Sequence, residues 1–270
     1  MPIDIEPHKQ VCTLLLFVAT QAEEDALIAV ATERGIPLER IKHPKLGEYH
    51  WLGQVGDETV IASRPVRESG RVVMGEIGRL GSAARGIRFS EATGAKGIVQ
   101  LGMAFGIDSG RQKLGDVLVS ASLIPYDNRD VRGSPNGMPG YVTDYSSATP
   151  QLARIELVEL FRREAVRGGR TFQVDVGAIL SGAARIHSRA FRDELVAGVP
   201  GGDDPIIGGD MEGVGLLAAS VSRREPIWCV VKGISDFADE DRDAVINESR
   251  GPACRNAAAF VLSALVNDRN

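Results

Sequence analysis

Three carboxylic acids stand where strands of this chain should end, and an acid at a strand end can do proton chemistry. Asp236 closes the stretch Ile227 to Asp239, in which an apolar run stops at Gly233 and is followed at once by Ser235 and Asp236. In open α/β sheets ligands gather outside the carboxyl ends of strands, so an acid there can act on a substrate. Ser-Asp after a strand also starts turns and caps helices, and taken alone that is its commoner role. Glu212, in the segment Gly208 to Gly213, and Glu23 or Glu24, after the apolar run Cys12 to Ala19, are the other two. Each of these is equally explained by the preference for acids near a helix N-terminus. Taken together, three such acids suit a site that protonates a leaving group.

Other chemistries find less support. The four histidines, His8, His43, His50 and His187, are scattered and share no ligand spacing, which argues against a zinc site or a Ser-His-Asp triad. No metal and no cofactor are expected. There is no Walker A loop, and Gly102-Met103-Ala104-Phe105-Gly106 follows a strand with the wrong spacing for a dinucleotide fingerprint. Cys12 and Cys229 sit in apolar runs as small buried hydrophobes, and with Cys254 they make an odd, unclustered set that points to a reducing compartment. A net charge of −5 argues against a general nucleic-acid surface while leaving room for a local basic pocket. No apolar run approaches the ~20 residues needed to span a bilayer, and Met1 to Gln10 is acidic and proline-broken rather than a signal peptide. The expectation is a cytoplasmic protein with no membrane and no nucleic-acid partner.

The elements that must position these acids alternate between β and α. Cys12 to Ala19 reads as a central strand and Glu23 to Arg34 as a helix with acids in its first turn. Glu48 to Gln54 and Glu58 to Ala62 form a hairpin around Val55-Gly56-Asp57, and Val72 to Ala92 a helix. Gly97 to Leu101 and Asp116 to Ser120 are strands. Pro125 to Thr149 is a long irregular excursion of the kind that borders binding sites. Leu152 to Arg167 is an amphipathic helix, Phe172 to Leu180 a strand, Ser188 to Leu195 a short helix and Gly198 to Gly209 a loop. Gly213 to Arg224 is a small-residue helix, Ile227 to Ile234 a strand and Pro252 to Val266 a terminal helix. A chain of 270 residues with 43% apolar and 25% charged residues, no linker-like stretch and no repeat reads as a single α/β domain with a mixed sheet, residues 1–270, of which 1–10 form a flexible N-terminal segment.

The joint order of the motifs brings in a family resemblance. Leu14 to Glu24, Val99 to Ser120, Gly177 to Ile186 and Gly209 to Asp239 resemble, in order, the pattern of the nucleoside phosphorylase and nucleosidase superfamily. Within it the chain is similar to the methylthioadenosine/S-adenosylhomocysteine nucleosidases. It resembles still more the nucleosidase-like effectors of bacterial antiviral defence, in which Gly-x-Ala-Phe-Gly and an Ile-Pro-Tyr-like stretch recur. The resemblance implies a three-layer αβα fold with a central mixed, partly barrel-like sheet. It implies that Asp236 protonates a departing purine and that Ser235 orients it. By the same resemblance Glu212 accepts the ribose hydroxyls, Met211 packs on the sugar, Ile186 holds the base through backbone groups, and Glu23 activates a water, with Glu24 as the alternative. Two departures bear on base recognition. Ser181-Gly182-Ala183-Ala184-Arg185 carries Arg185 where those nucleosidases have a stacking aromatic, and Gly102 to Phe105 replaces Gly-Ser-Ala-Gly, so that Phe105 adds bulk beside the sugar.

The 5′ end of the substrate separates the readings. A methylthio group needs an apolar pocket, whereas a phosphate chain needs several cations to offset its desolvation. Arg64, Arg67 and Arg71 around Glu68-Ser69-Gly70, and Arg129 and Arg132 after Tyr126, are candidate phosphate ligands or, equally, solvated loop charges. The expected activity is hydrolysis of the N-glycosidic bond of a purine nucleoside or nucleotide, ATP or a related adenine nucleotide first, as in an antiviral effector. Alternatives are a methylthioadenosine/S-adenosylhomocysteine nucleosidase, a phosphate-dependent phosphorylase, and an inactive nucleotide-binding sensor. The resemblance further implies a homo-oligomer and, for a defence effector, a regulatory partner protein.

Overall fold

Every position of β1 (Leu14–Phe17) is apolar because both of its faces are covered. In the computed structural model, which describes residues 12–68, 71, 72, 75, 78–134, 139–221 and 227–268 (backbone alone at 71, 72, 220 and 221), β1 is followed by α1 (Gln21–Glu33), β2 (Glu39–His43), β3 (Gly47–Val55) and β4 (Glu58–Ser63). Next come β5 (Arg67–Glu68), β6 (Arg71–Val72), α2 (Ser82–Thr93), β7 (Gly97–Gly106), β8 (Val117–Pro125), β9 (Asp130–Gly133), β10 (Tyr141–Asp144) and β11 (Gln151–Leu152). The chain continues through α3 (Ile155–Val166), β12 (Val174–Ser181), α4 (Arg189–Gly198), β13 (Ile206–Asp210), α5 (Gly213–Val221), β14 (Ile227–Asp236) and α6 (Arg242–Asn267). The segment 1–10, the pair Ser69-Gly70 and residues 222–224 of the expected helix lie outside the described residues.

The alternation of side chains along β1 divides the layers. Leu14, Leu16 and Val18 pack with Leu27 and Val30 of α1, Phe161 of α3 and Phe260 of α6. Leu15 and Phe17 turn to the opposite face, against Phe89 of α2 and Leu216 of α5. Helices thus cover both faces of a ten-stranded mixed sheet, the three-layer arrangement expected.

Part of that sheet closes on itself. β14 runs parallel to β7 and antiparallel to β8. β8 pairs with β12, β12 with β13, and β13 returns antiparallel to β7. The ring is filled by Leu118, Ile179, Ile207, Trp228, Val230 and Ile234, so it is a packed core and not a channel.

Several elements depart from the sequence expectation, among them the strand β2, and Leu152, expected to open α3, lies in β11. α2 begins at Ser82 rather than Val72, because Gly75 and Gly78 hold left-handed φ of 83° and 93° and Gly81 is the extended N-cap. Ile206 to Asp210 is a strand where a loop was expected. Its Gly208 and Gly209 are there for close approach: a Cβ would lie 2.3 Å from the Phe105 carbonyl oxygen or 2.2 Å from the Phe105 ring. α6 runs for 26 residues straight through Pro252. Proline removes one helix hydrogen bond, but the face from Ala253 to Leu265 is buried on the sheet and outweighs that loss. The excursion after Pro125 contains the hairpin β9–β10, with residues 135–138 outside the description. Among the described residues no helix is long and apolar enough to cross a membrane.

Candidate active site

The strands fall into two parallel sets, β1, β4, β7 and β14 against β8, β12 and β13, whose directions reverse between β7 and β13. β13 and β7 pair only near their last residues, Gly208 with Gly106 and Gly209 with Phe105, so the carboxyl ends of the two sets overlap there, and an open cleft lies beside them, the place where α/β sheets bind ligands. Glu23, Phe105, Arg185, Ile186, Met211, Glu212, Ser235 and Asp236, all expected at the site, line this one cleft, together with Met103, Asp210 and Arg242.

Asp236 is the last residue of β14 and is 4% exposed. Ser235 Oγ lies 3.0 Å from its Oδ2 and 3.2 Å from the carbonyl oxygen of Ala104. The Ala238 amide donates to Oδ1 at 3.0 Å, across a turn in which Ala238 holds the left-handed φ of 51°. Arg242, the first residue of α6, reaches Oδ2 at 3.5 Å. Burial pushes the carboxyl above the ordinary aspartate range against the opposing pull of the Ala238 amide, Arg242 and Ser235. Ser235 serves both protonation states. It donates to the ionised carboxylate, and it accepts from the neutral acid while donating to Ala104.

Glu23 and Glu24 part company although they are adjacent. Glu23 forms a capping box with Thr20: its Oε2 accepts from the Ala19 and Thr20 amides at 2.8 Å each, and the Thr20 side chain accepts from the Glu23 amide. Its Oε1 takes one longer bond, 3.3 Å from the Met103 amide, beside the cleft. Gly102 makes room for it, since a Cβ there would lie 2.0 Å from Oε1. Burial raises the Glu23 pKa, in part offset by the charge of Lys232. Glu24 points to the other side of α1, where it binds His50 at 2.7 Å and Arg64. Burial pushes its pKa upward, but bonds and charges of Arg64 and His50 outweigh this and hold it below the usual range.

Glu212 is held by groups that the sequence reading did not single out. Lys232, fully buried in β14, places Nζ 2.8 Å from Glu212 Oε2 and 2.8 Å from Asp210 Oδ2. Asp210 Oδ1 accepts from Ser181 Oγ at 2.6 Å and from the Gly213 amide. Gln100 Nε2 approaches Glu212 Oε2 at 3.4 Å, and the Gly75 amide donates to Oε1 at 3.1 Å. Burial by itself would lower the lysine pKa, but Asp210, Glu212 and Glu23 more than offset it and raise it, so the ammonium is firmly charged. Glu212 Oε1, with one donor among the described residues, keeps a lone pair for a ligand hydroxyl. A signal for this network was present in the sequence: a lone lysine inside an apolar strand demands buried counter-charges.

The remaining expected residues separate by place. Ile186 and Phe105 are buried walls, while Arg185 is exposed on the loop after β12. Tyr126 Oη supports that loop by donating to the Ala184 carbonyl at 3.3 Å. Arg64 is half-buried between Glu24 and Glu48, and with Arg67 it lines a second pocket beyond α1. The Arg71 side chain lies outside the description. Arg129 pairs with Asp127 at 3.4 Å beside the Tyr145 ring, and Arg132 bridges Asp130 and Asp144 on the β9–β10 hairpin. Neither of these two lines the cleft. Among the described residues no group of three His, Cys, Asp or Glu is placed to hold a metal ion.

No model of a known protein family matches the chain. It is 26% identical over 276 residues to a death domain-containing ATP nucleosidase of Amphimedon queenslandica, in an alignment covering 94% of this chain and 48% of that protein. The chain thus spans about half the length of this curated relative. A methylthioadenosine/S-adenosylhomocysteine nucleosidase of Neisseria meningitidis, in complex with methylthio-immucillin-A, superposes with a TM-score of 0.69 at 17% identity, covering 94% of this chain and 98% of that one. One of Colwellia psychrerythraea, in complex with adenine, gives 0.70 at 17% identity over 95% of each chain. Futalosine hydrolase of Helicobacter pylori gives 0.70 at 21% identity, covering 96% of this chain and 98% of that one. The chain therefore has the fold of these nucleosidases, with the expected mixed, partly closed sheet.

Proposed function

We propose that this chain hydrolyses the N-glycosidic bond of a purine nucleoside or nucleotide, with ATP or a related adenine nucleotide as the leading substrate and adenine plus the ribose phosphate as products. The observation that carries the proposal is the convergence of Asp236, Glu23 and a Lys232-held Glu212 on one cleft, in three different environments. Asp236, kept protonatable by burial, delivers its proton to purine N7 while the C1′–N9 bond breaks and its electron pair leaves with the base. Glu212, ion-paired with Lys232, accepts the ribose hydroxyls and fixes the sugar as it becomes cationic. Glu23 takes a proton from the water that attacks the anomeric carbon, and its raised pKa makes it a stronger base than an exposed glutamate. Ile186, Phe105 and Arg185 enclose the base, and Met211 packs on the sugar.

The adenine-nucleotide preference is supported by the naming of the Amphimedon relative as an ATP nucleosidase and by the arginines that line the second pocket. The test is incubation of the purified protein with ATP, AMP, adenosine and methylthioadenosine, with and without phosphate, reading free adenine by chromatography. Adenine from ATP without added phosphate is expected. Preference for methylthioadenosine, or a requirement for phosphate with release of ribose 1-phosphate, overturns it. Assembly as a homo-oligomer is part of the reading and is supported by exposed Val131, Tyr141 and Val142 on the hairpin, with Leu152 and Ile155. An effector role with a triggering partner protein is supported by the resemblance to defence nucleosidases. Full activity of the isolated chain on ATP in cells would count against that trigger.

A further inference from the structure

We infer that the second pocket, walled by Arg64, Arg67, Arg85, Arg88 and Lys45, receives the phosphate chain of the nucleotide whose sugar rests on Glu212. This rests on the hydrolase reading above and adds to it the residues that choose the 5′ group. Three of the five cations, Arg85 and Arg88 of α2 and Lys45 of the turn before β3, were not expected from sequence.

Among the described residues the pocket is lined by five cations and by Glu48 alone among acids. Arg64 already meets Glu24 and Glu48. Arg85 is different. It is 3% exposed, its guanidinium stacks 4.7 Å from the Phe17 ring centroid and donates to the Arg64 carbonyl, and among the described residues no carboxylate lies within ion-pair distance of it. Burial, with the repulsion of Arg88, lowers its pKa to about 10, and only the more distant charge of Glu23 opposes this. A buried cation without a counter-ion is costly, and an anionic ligand completes it. Arg88 spends its donors on the Ala84 and Arg79 carbonyls, and neither it nor Lys45 meets a carboxylate among the described residues.

α2 also sets the direction and length of the site. At its first residue Ser82 Oγ donates to the Glu212 carbonyl oxygen at 2.9 Å, so the helix starts against the backbone of the residue that carries the sugar carboxylate. At 1.5 Å rise per residue, Arg85 and Arg88 follow about 4.5 and about 9 Å further along the axis, the run of an extended phosphate chain. Arg64 and Arg67 also line the pocket, and the Gly75 amide donates to Glu212 Oε1. Bidentate guanidinium groups suit phosphate oxygens, and Arg85 is already held by the Phe17 ring and the Arg64 carbonyl.

The experiment compares kcat/KM for ATP, AMP and adenosine in wild type and in Arg88→Gln, Arg67→Gln and the Lys45→Gln/Arg67→Gln/Arg88→Gln triple, all surface or half-buried positions, with Arg85→Lys as a charge-retaining control. The ratio of kcat/KM for ATP over adenosine should fall at least tenfold in the triple, more than for AMP over adenosine. A ratio that stays within twofold overturns the assignment. So does a triple variant that loses affinity for inorganic triphosphate without any change in that ratio, since the pocket would then be a separate anion site. If no variant, wild type included, releases adenine, the hydrolase reading has failed by itself. The pocket is then tested by calorimetry of ATP and of inorganic triphosphate on Asp236→Asn, where loss of both in the triple is expected and unaltered binding refutes it.

Discussion

Replacing Asp236 with Asn keeps the shape of the side chain and removes its proton. The Ala238 amide donates to Oδ1, so the Asn oxygen stays there and the new NH2 takes the Oδ2 position. It then faces Ser235 Oγ at about the same distance and Arg242 Nε, a second donor. The lost charge-assisted contact is modest, because Arg242 sits at 3.5 Å. The lost proton donor is not. General acids contribute about 10²–10⁴ in rate, or roughly 2.7–5.5 kcal/mol at 1.36 kcal/mol per decade. With Asp236 only 4% exposed, bulk water has little access to replace it, and the upper half of that range is expected. The assay is adenine release under saturating nucleotide, with binding of the unreacted nucleotide as a check on the pocket. Retention of more than about a tenth of wild-type kcat would refute the assignment of Asp236 as the acid. Stability supplies a second reading. Burial raises the folded-state pKa above the ~3.9 of an unfolded aspartate, so the folded protein favours the neutral acid. The stability this lends is complete below about pH 4 and is lost as pH climbs through the folded pKa, whereas the Asn variant has nothing to lose. The Tm difference, variant minus wild type, should therefore grow as pH rises from about 4; a flat difference would show that the pKa is not raised.

Glu23→Gln should lower kcat by roughly 10²–10⁴ and remove the acid limb of the pH–rate profile, which in wild type falls as Glu23 is protonated. Glu24→Gln, on the Arg64 side, should cost far less, and equal losses would show that the two acids are not divided as the geometry has them. Lys232→Met strands Asp210 and Glu212 and should destabilise the fold by about 3–5 kcal/mol in urea unfolding; a shift under about 1 kcal/mol would mean that the network is not load-carrying. Gly102→Ala pushes a Cβ to 2.0 Å from Glu23 Oε1 and should reduce kcat on the order of 10²-fold, with KM little altered. Activity within a few-fold of wild type would show that the position of Glu23 does not matter.

The sequence by itself determined the elements whose signals are local. The all-apolar strand β1, the apolar first half of β14, the hairpin β3–β4, the amphipathic α3 and the Ser188-capped α4 follow from period, turn and cap chemistry, which act between near neighbours in the chain. The acids Asp236, Glu212 and Glu23 could be named as candidates because they stand where those strands stop. What the local pattern left open was decided by long-range packing. Glu23 and Glu24 are alike in sequence, and only the crossing of α1 over β7 directs one at the cleft and the other at Arg64. Gly208 and Gly209 read as loop, yet they form a strand because β13 must pass against Phe105 of β7. The closure of β14 onto both β7 and β8 brings Lys232 between Asp210 and Glu212, which precede it by some twenty positions and reach it from the end of β13 and the turn beyond it. Arg85, a helix residue with no special neighbours in the chain, becomes a buried cation with no carboxylate partner among the described residues only when α2 is laid on Phe17. Charge pairing and desolvation depend on distance in space, and the order of residues alone does not specify it.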